Sequence, residues 1–263
     1  MNLIRSTLHM LWMAVTVIPW CLLMLVSAPL LGRRRMYYAG AVWLGMAVRG
    51  GELILGIKNR VTGLENLPAD AREAAVLLVK HQSTWETFAM PVLMRRPLAY
   101  VLKRELLYIP FFGWALALAD MIIIDRRRRA AAFSKVLKQG QRLIGQGVSV
   151  IIFPEGTRVG RGEQGTYRIS GARLAIGCGV PVIPVAVTSA RCWPPRAFIK
   201  RPGVVDFSIG KPIPSVGRRP DELTHEVEQW IEAEMLRLDP EGYPEGKARL
   251  STREPGMDPR NGS

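Results

Sequence analysis

Metal and redox chemistry find little to work with in this chain, which has 3 cysteines and 3 histidines among 263 residues. Cys21, Cys178 and Cys192 show no C-x-x-C spacing, and His9 and His225 stand alone, so no metal site is expected. A phosphate-cradling G-x-x-x-x-G-K-[ST] loop is missing, which disfavours a nucleotide-driven enzyme. So is the G-x-S-x-G elbow of serine hydrolases. Acidic residues are also scarce: 22 Asp and Glu face 36 Lys and Arg, leaving a net charge of +14 that calls for an acidic partner. That partner is not expected to be nucleic acid, because basicity is unsupported by zinc spacing, an RNA-recognition signature or a helix-turn-helix pattern.

Formal charge is absent from Leu8 to Leu31. About 24 residues span roughly 36 Å as a helix, enough for a bilayer core of about 30 Å. A second uncharged stretch, Met36 to Val48, is too short to cross alone, and Pro19 and Pro29 interrupt the first. Residues 1–50 therefore read as an N-terminal membrane-embedded segment, either one spanning helix with an interfacial partner or a two-helix hairpin in one leaflet. A cleaved leader ending near Ala28 fits less well, because Pro29 would follow the cut directly. Arg33-Arg34-Arg35 marks a cytoplasmic flank, so the remainder is expected on the cytoplasmic side of a cell inner membrane. There the run Arg126 to Arg129 would favour an anionic membrane surface, each cation contributing on the order of 1 kcal/mol.

The chemistry-bearing residues begin after an apolar strand candidate, Ala75 to Val79, with Lys80-His81-Gln82-Ser83-Thr84-Trp85-Glu86. A neutral imidazole can take a proton from a hydroxyl, and a carboxylate on its other nitrogen fixes the tautomer and stabilises the cation. Five residues along one helix would set the two side chains roughly 140° apart. His81 must then lie in a turn and Glu86 in the first turn of the following helix. Ser83 and Glu86 also fit a capping box, in which the carboxylate serves a backbone amide instead. The spacing leaves both readings open.

A second strand, Val148 to Phe153, runs directly into Pro154-Glu155-Gly156-Thr157-Arg158. Ligand sites in open α/β sheets gather at the carboxyl ends of strands. Gly156 permits close backbone approach there, and Arg158 offers a planar fork suited to phosphate. An ordinary turn with a solvated arginine is the plainer alternative.

Together these blocks resemble the glycerolipid acyltransferase family, in particular its bacterial 1-acyl-sn-glycerol-3-phosphate acyltransferases. The family's His-x-x-x-x-Asp motif corresponds to His81 through Glu86, and later blocks to Met121 through Arg126, Phe153 through Arg158 and Val180 through Pro184. Leu102 to Leu106 and Ile109 to Gly113 are similar as well, and the likeness covers roughly Gly63 to Pro214. Glu86 stands where the family usually has Asp, and Lys80 where Asn is common. The resemblance implies transfer of a fatty acyl group, from acyl-CoA or acyl carrier protein, to the sn-2 hydroxyl of lysophosphatidic acid. The product would be phosphatidic acid, and no bound cofactor is needed. By the same resemblance His81 is the base and Glu86 its orienter, Glu155, Gly156, Thr157 and Arg158 hold the head group, and Lys103 and Arg126 assist. Acylation of another lysolipid, such as a lyso-ornithine lipid or a lysophospholipid, is the alternative within enzymes. A membrane-anchored protein that only binds anionic lipid or nucleic acid is the alternative outside them.

The fold class expected is α/β, a mostly parallel sheet covered by helices behind the N-terminal membrane motif. Strand candidates fall at Leu53 to Ile57, Ala75 to Val79, Ala99 to Leu102, Met121 to Ile124, Val148 to Phe153, Val182 to Val187 and Val204 to Ile209. Helical patterns cover Ala130 to Ile144, Arg168 to Ile176 and a stretch after Pro220. Residues 51–238 form the expected catalytic domain and 239–263 a polar, mobile tail.

Overall fold

The computed structural model describes residues 1–70, 72–94, 96–125 and 129–243. Two long helices come first, α1 (Asn2–Ser27) and α2 (Arg33–Gly50). Then follow β1 (Ile57–Thr62), β2 (Val76–Val79), α3 (Trp85–Met94), β3 (Leu98–Lys103), α4 (Phe112–Leu118), β4 (Ile122–Ile124) and α5 (Arg129–Ile144). The chain continues through β5 (Ser149–Ile152), α6 (Ser170–Cys178), β6 (Val182–Val187), β7 (Gly203–Ile209) and α7 (Pro220–Leu238). The sheet order is β1-β7-β6-β2-β5-β3-β4. Every pairing is parallel except β6 with β7.

Side-chain alternation along the central strands builds two cores. Leu77 and Val79 face one side, where Trp85, Met90 and Tyr37 bring in α3 and α2. Val76 and Leu78 face the other, against Leu143, Leu174, Val227 and Ile231 of α5, α6 and α7. Strands buried on both faces explain why β2 and β6 read as unbroken apolar runs and β5 as one broken only by the buried Ser149.

The helical pair at the N-terminus differs from a soluble core helix. Only 11% of the apolar window of α1 is buried, and Leu11, Val15, Leu22 and Val26 point outward. Twenty-six residues make about 39 Å of helix, longer than a bilayer core of about 30 Å. The inner face of α1 is fastened at intervals along its length. Trp20 Nε1 donates to the Ala39 carbonyl at 2.9 Å, Trp43 Nε1 to Thr16 Oγ1 at 3.2 Å, and the Lys200 amide to Ser6 Oγ at 2.9 Å.

Two boundaries differ from those read in the sequence. Leu53 to Ile57, expected as a strand, is mostly a wide π-helical turn, Gly51–Leu55, that prolongs α2. A Cβ on Gly51 would lie 2.3 Å from the Trp85 ring, so the chain needs a glycine where it crosses that indole. The first strand starts only after Gly56 reverses the chain at φ 73. It is an edge strand whose side chains, apart from buried Ile57, are half-buried or exposed, which hides it from a hydrophobicity pattern. At the other end, Asp239 and Tyr243 are buried in the body, so the stretch expected to be mobile from 239 is packed as far as 243. Arg161 and Arg191 both donate to the Asp239 carboxylate, at 2.6 Å and 3.0 Å, and supply the reason.

Candidate active site

The sheet order sets the carboxyl ends of β6, β2, β5, β3 and β4 side by side, and the sequence candidates emerge there. His81 leaves β2, Glu155 to Arg158 leave β5, and Lys103 ends β3. Arg126 follows β4 but lies outside the described residues. Lys103 is exposed at its strand end.

His81 and Glu86 meet as a turn-and-helix pair. His81 Nδ1 lies 2.9 Å from Glu86 Oε1, the carboxylate fully buried and the imidazole 14% exposed. Facing a carboxylate, Nδ1 carries the proton and Nε2 is left as the acceptor. Nε2 makes no hydrogen bond among the described residues. The same Oε1 accepts the amides of Gln82 at 2.8 Å and Ser83 at 2.6 Å, while Ser83 Oγ accepts the Trp85 amide at 3.1 Å. Glu86 therefore caps α3 and orients His81 at once, and the two readings are not exclusive. One consequence is that the amides directly after His81 are already engaged, so Gln82 and Ser83 are not free to receive an oxyanion.

The imidazole is held from a second side by β5. Its ring stacks on Phe153, centroids 3.8 Å apart at 13°, and its carbonyl accepts the Val159 amide at 2.8 Å. This places the turn after β5 directly beside the dyad. Gly156 sits in the left-handed region at φ 70, and a Cβ there would come within 3.0 Å of Arg168 Nε. Thr157 and Arg158 are exposed, whereas Glu155 is buried. Arg158 and Arg168 are both exposed, and neither has a carboxylate of the described residues within ion-pair distance. Arg168, read in the sequence only as the start of a helical pattern, gave no signal there as a site residue.

Glu155 points inward, away from its neighbours in the motif. Its Oε1 accepts the His81 amide at 3.3 Å and lies 3.7 Å from Lys80 Nζ. Lys80, itself fully buried, donates to Glu232 Oε1 of α7 at 2.5 Å and to the Glu163 carbonyl at 3.2 Å, and Tyr167 donates to the same Glu232 oxygen at 2.8 Å. One buried cation thus serves two carboxylates. Glu232 holds the closer contact, and burial pushes the Glu155 carboxyl up to about 7 against the pull of Lys80.

An apolar cavity of about 590 Å³ runs between the N-terminal helices and the sheet, lined by Met13, Val17 and Trp20 of α1 and Leu44 of α2. Toward His81 it reaches Thr84, three residues further along the chain, and Arg158. Among the described residues no cluster of three or more His, Cys, Asp or Glu side chains is suited to hold a metal. The arrangement joins an imidazole–carboxylate pair, a turn with an exposed guanidinium group and an apolar slot, a combination that suits acyl transfer to a phosphorylated lipid.

Comparison with known proteins points the same way. A family model described as Acyltransferase matches residues 58–188. A 1-acyl-sn-glycerol-3-phosphate acyltransferase of Pseudomonas aeruginosa is 39% identical over 241 residues, 90% of this chain and 92% of that one. The human 1-acyl-sn-glycerol-3-phosphate acyltransferase alpha is 31% identical over 65% of this chain and 60% of its own. The crystal structure of the 1-acyl-sn-glycerophosphate acyltransferase PlsC from Thermotoga maritima shares the fold, with a TM-score of 0.74 at 24% identity over 91% of this chain and 98% of that one.

Proposed function

This chain belongs to the 1-acyl-sn-glycerol-3-phosphate acyltransferase family, and on that premise we propose how its site carries out the reaction. The enzyme transfers an acyl group to lysophosphatidic acid, forming phosphatidic acid in phospholipid biosynthesis. His81 Nε2 takes the proton of the sn-2 hydroxyl as that oxygen attacks the carbonyl carbon of the donor thioester. Glu86 stabilises the imidazolium that results. Collapse of the tetrahedral intermediate breaks the C–S bond, and the departing thiolate recovers the proton from His81. The ester forms with no net change at the dyad.

Arg158 and Thr157 meet the acceptor phosphate, with the Gly156 backbone in close approach and Lys103 and Arg126 contributing positive potential. Glu155 works from beneath, holding the His81 amide and Lys80. The apolar cavity takes an acyl chain, and acyl-CoA or acyl carrier protein delivers the thioester. The outward apolar face of α1 seats residues 1–50 in the inner membrane, with residues 51–238 on the cytoplasmic side against anionic lipid. The basic surface is reserved for lipid and not nucleic acid.

The observation that carries this reading is the 2.9 Å contact of His81 Nδ1 with Glu86, beside a turn whose Arg158 lines the cavity. An acyl-transfer assay on purified protein, offering lysophosphatidic acid beside phosphate-free lysolipids, tests it. Lysophosphatidic acid should be far the best acceptor. Equal use of a lyso-ornithine lipid would move the assignment to that alternative.

A further inference from the structure

The carboxylate that orients His81 is itself held from outside its own segment. Oε1 of Glu86 takes three donors, all from residues 81 to 83. Oε2 takes one among the described residues, the Ser189 hydroxyl at 2.6 Å, contributed by the short helical turn Ser189–Arg191 after β6. The topology dictates this meeting. β6 runs parallel to β2 with Val185 opposite Val79, so the turns leaving both strands rise together, and the Lys80 amide donates to the Val185 carbonyl at 2.9 Å. The turns are joined again where the Ala190 amide donates to Gln82 Oε1 at 3.3 Å. Ser189 and Glu86 are both 0% exposed, so no water competes for this contact.

We propose that Ser189 is a positioning residue of this enzyme, fixing the Glu86 carboxylate in the plane and at the reach that the His81 imidazole requires. The inference rests on the reading of His81 and Glu86 as the catalytic pair. It also accounts for a glutamate where the family usually carries aspartate. Removing one methylene would shorten the side chain by about 1.5 Å, so an aspartate could not keep both the Ser189 contact at 2.6 Å and the His81 contact at 2.9 Å without a backbone shift. Nothing in the sequence signals the role, because Thr188-Ser189 reads as an ordinary loop after an apolar strand.

The test compares the full-length wild-type enzyme with Ser189→Ala, Ser189→Thr, Glu86→Asp and the double variant Glu86→Asp with Ser189→Ala. Readouts are kcat, KM for both substrates, and the ¹⁵N resonances of His81 in lipid micelles, assigned by their loss in His81→Ala. Ser189→Ala should lower kcat by roughly tenfold or more, the worth of a hydrogen bond to a charged group, with KM for both substrates nearly unchanged. It should also move the His81 resonances, and Ser189→Thr, which keeps the hydroxyl, should restore both. In the Glu86→Asp background the serine substitution should cost nothing further. The proposal is overturned if Ser189→Ala leaves kcat and the His81 resonances as in wild type, or if it costs the same factor in both backgrounds. Should the wild type fail to acylate lysophosphatidic acid while Ser189→Ala still moves the His81 resonances, the coupling stands and the assigned reaction falls.

Discussion

The imidazole of His81 lies flat on the ring of Phe153, 72 residues away in sequence, so the two motifs form one rigid unit. Stacking fixes the plane of the ring and the Glu86 carboxylate fixes its rotation, which leaves Nε2 aimed at one place. Electrostatic orientation should therefore matter to turnover more than to folding. Glu86→Gln keeps an oxygen for the Gln82 and Ser83 amides but removes the charge that stabilises imidazolium. We expect kcat to fall by about 10²-fold or more with little change in melting temperature. A Gln variant with wild-type turnover would reduce Glu86 to a cap.

Arg158 offers a different signature. Loss of a charge-assisted fork from one substrate should raise KM for lysophosphatidic acid by roughly 10- to 150-fold in Arg158→Ala, with little effect on the acyl donor. Arg158→Lys should recover only part, since a point charge cannot reproduce the fork. Equal changes in both Michaelis constants would place Arg158 elsewhere than at the phosphate.

Much of this was legible in the sequence, and the gaps have physical causes. The turns after β2 and β5 carry polar groups at the ends of apolar strands, a contrast that a linear reading detects. The direction of Glu155 was not legible. Its neighbours Thr157 and Arg158 are exposed, while Glu155 turns inward because Lys80 sits buried beneath it, and Lys80 is buried because Glu232, 152 residues on, meets it. Ser189 and Arg168 were missed for a similar reason. Their relevance comes from strands and helices that become neighbours only in the folded sheet. The edge strand Ile57–Thr62 escaped because an edge need not be apolar.

The buried cluster under the site predicts a pH dependence of stability. The carboxyl of Glu155 is raised from 4.5 to about 7, so the folded chain holds a proton that the unfolded chain releases in that interval. The stabilisation from this group is complete below about 4.5 and is lost as pH rises through about 7. Glu155→Gln retains the acceptor for the His81 amide and cannot ionise. Its melting temperature should fall less than that of the wild type between those two pH values, measured by thermal unfolding in micelles. Parallel curves would show that Glu155 is already ionised at the lower end.

The most direct measurement is the acyl-transfer rate of His81→Ala, with radiolabelled thioester and lysophosphatidic acid, on protein shown to be folded and membrane-bound. A general base contributes typically about 10²- to 10⁴-fold to the chemical step and nothing to the membrane anchoring proposed for residues 1–50. The variant should therefore bind membranes like the wild type and transfer almost nothing. A rate above roughly a tenth of the wild type, well short of that loss, would contradict the assignment of His81 as the base.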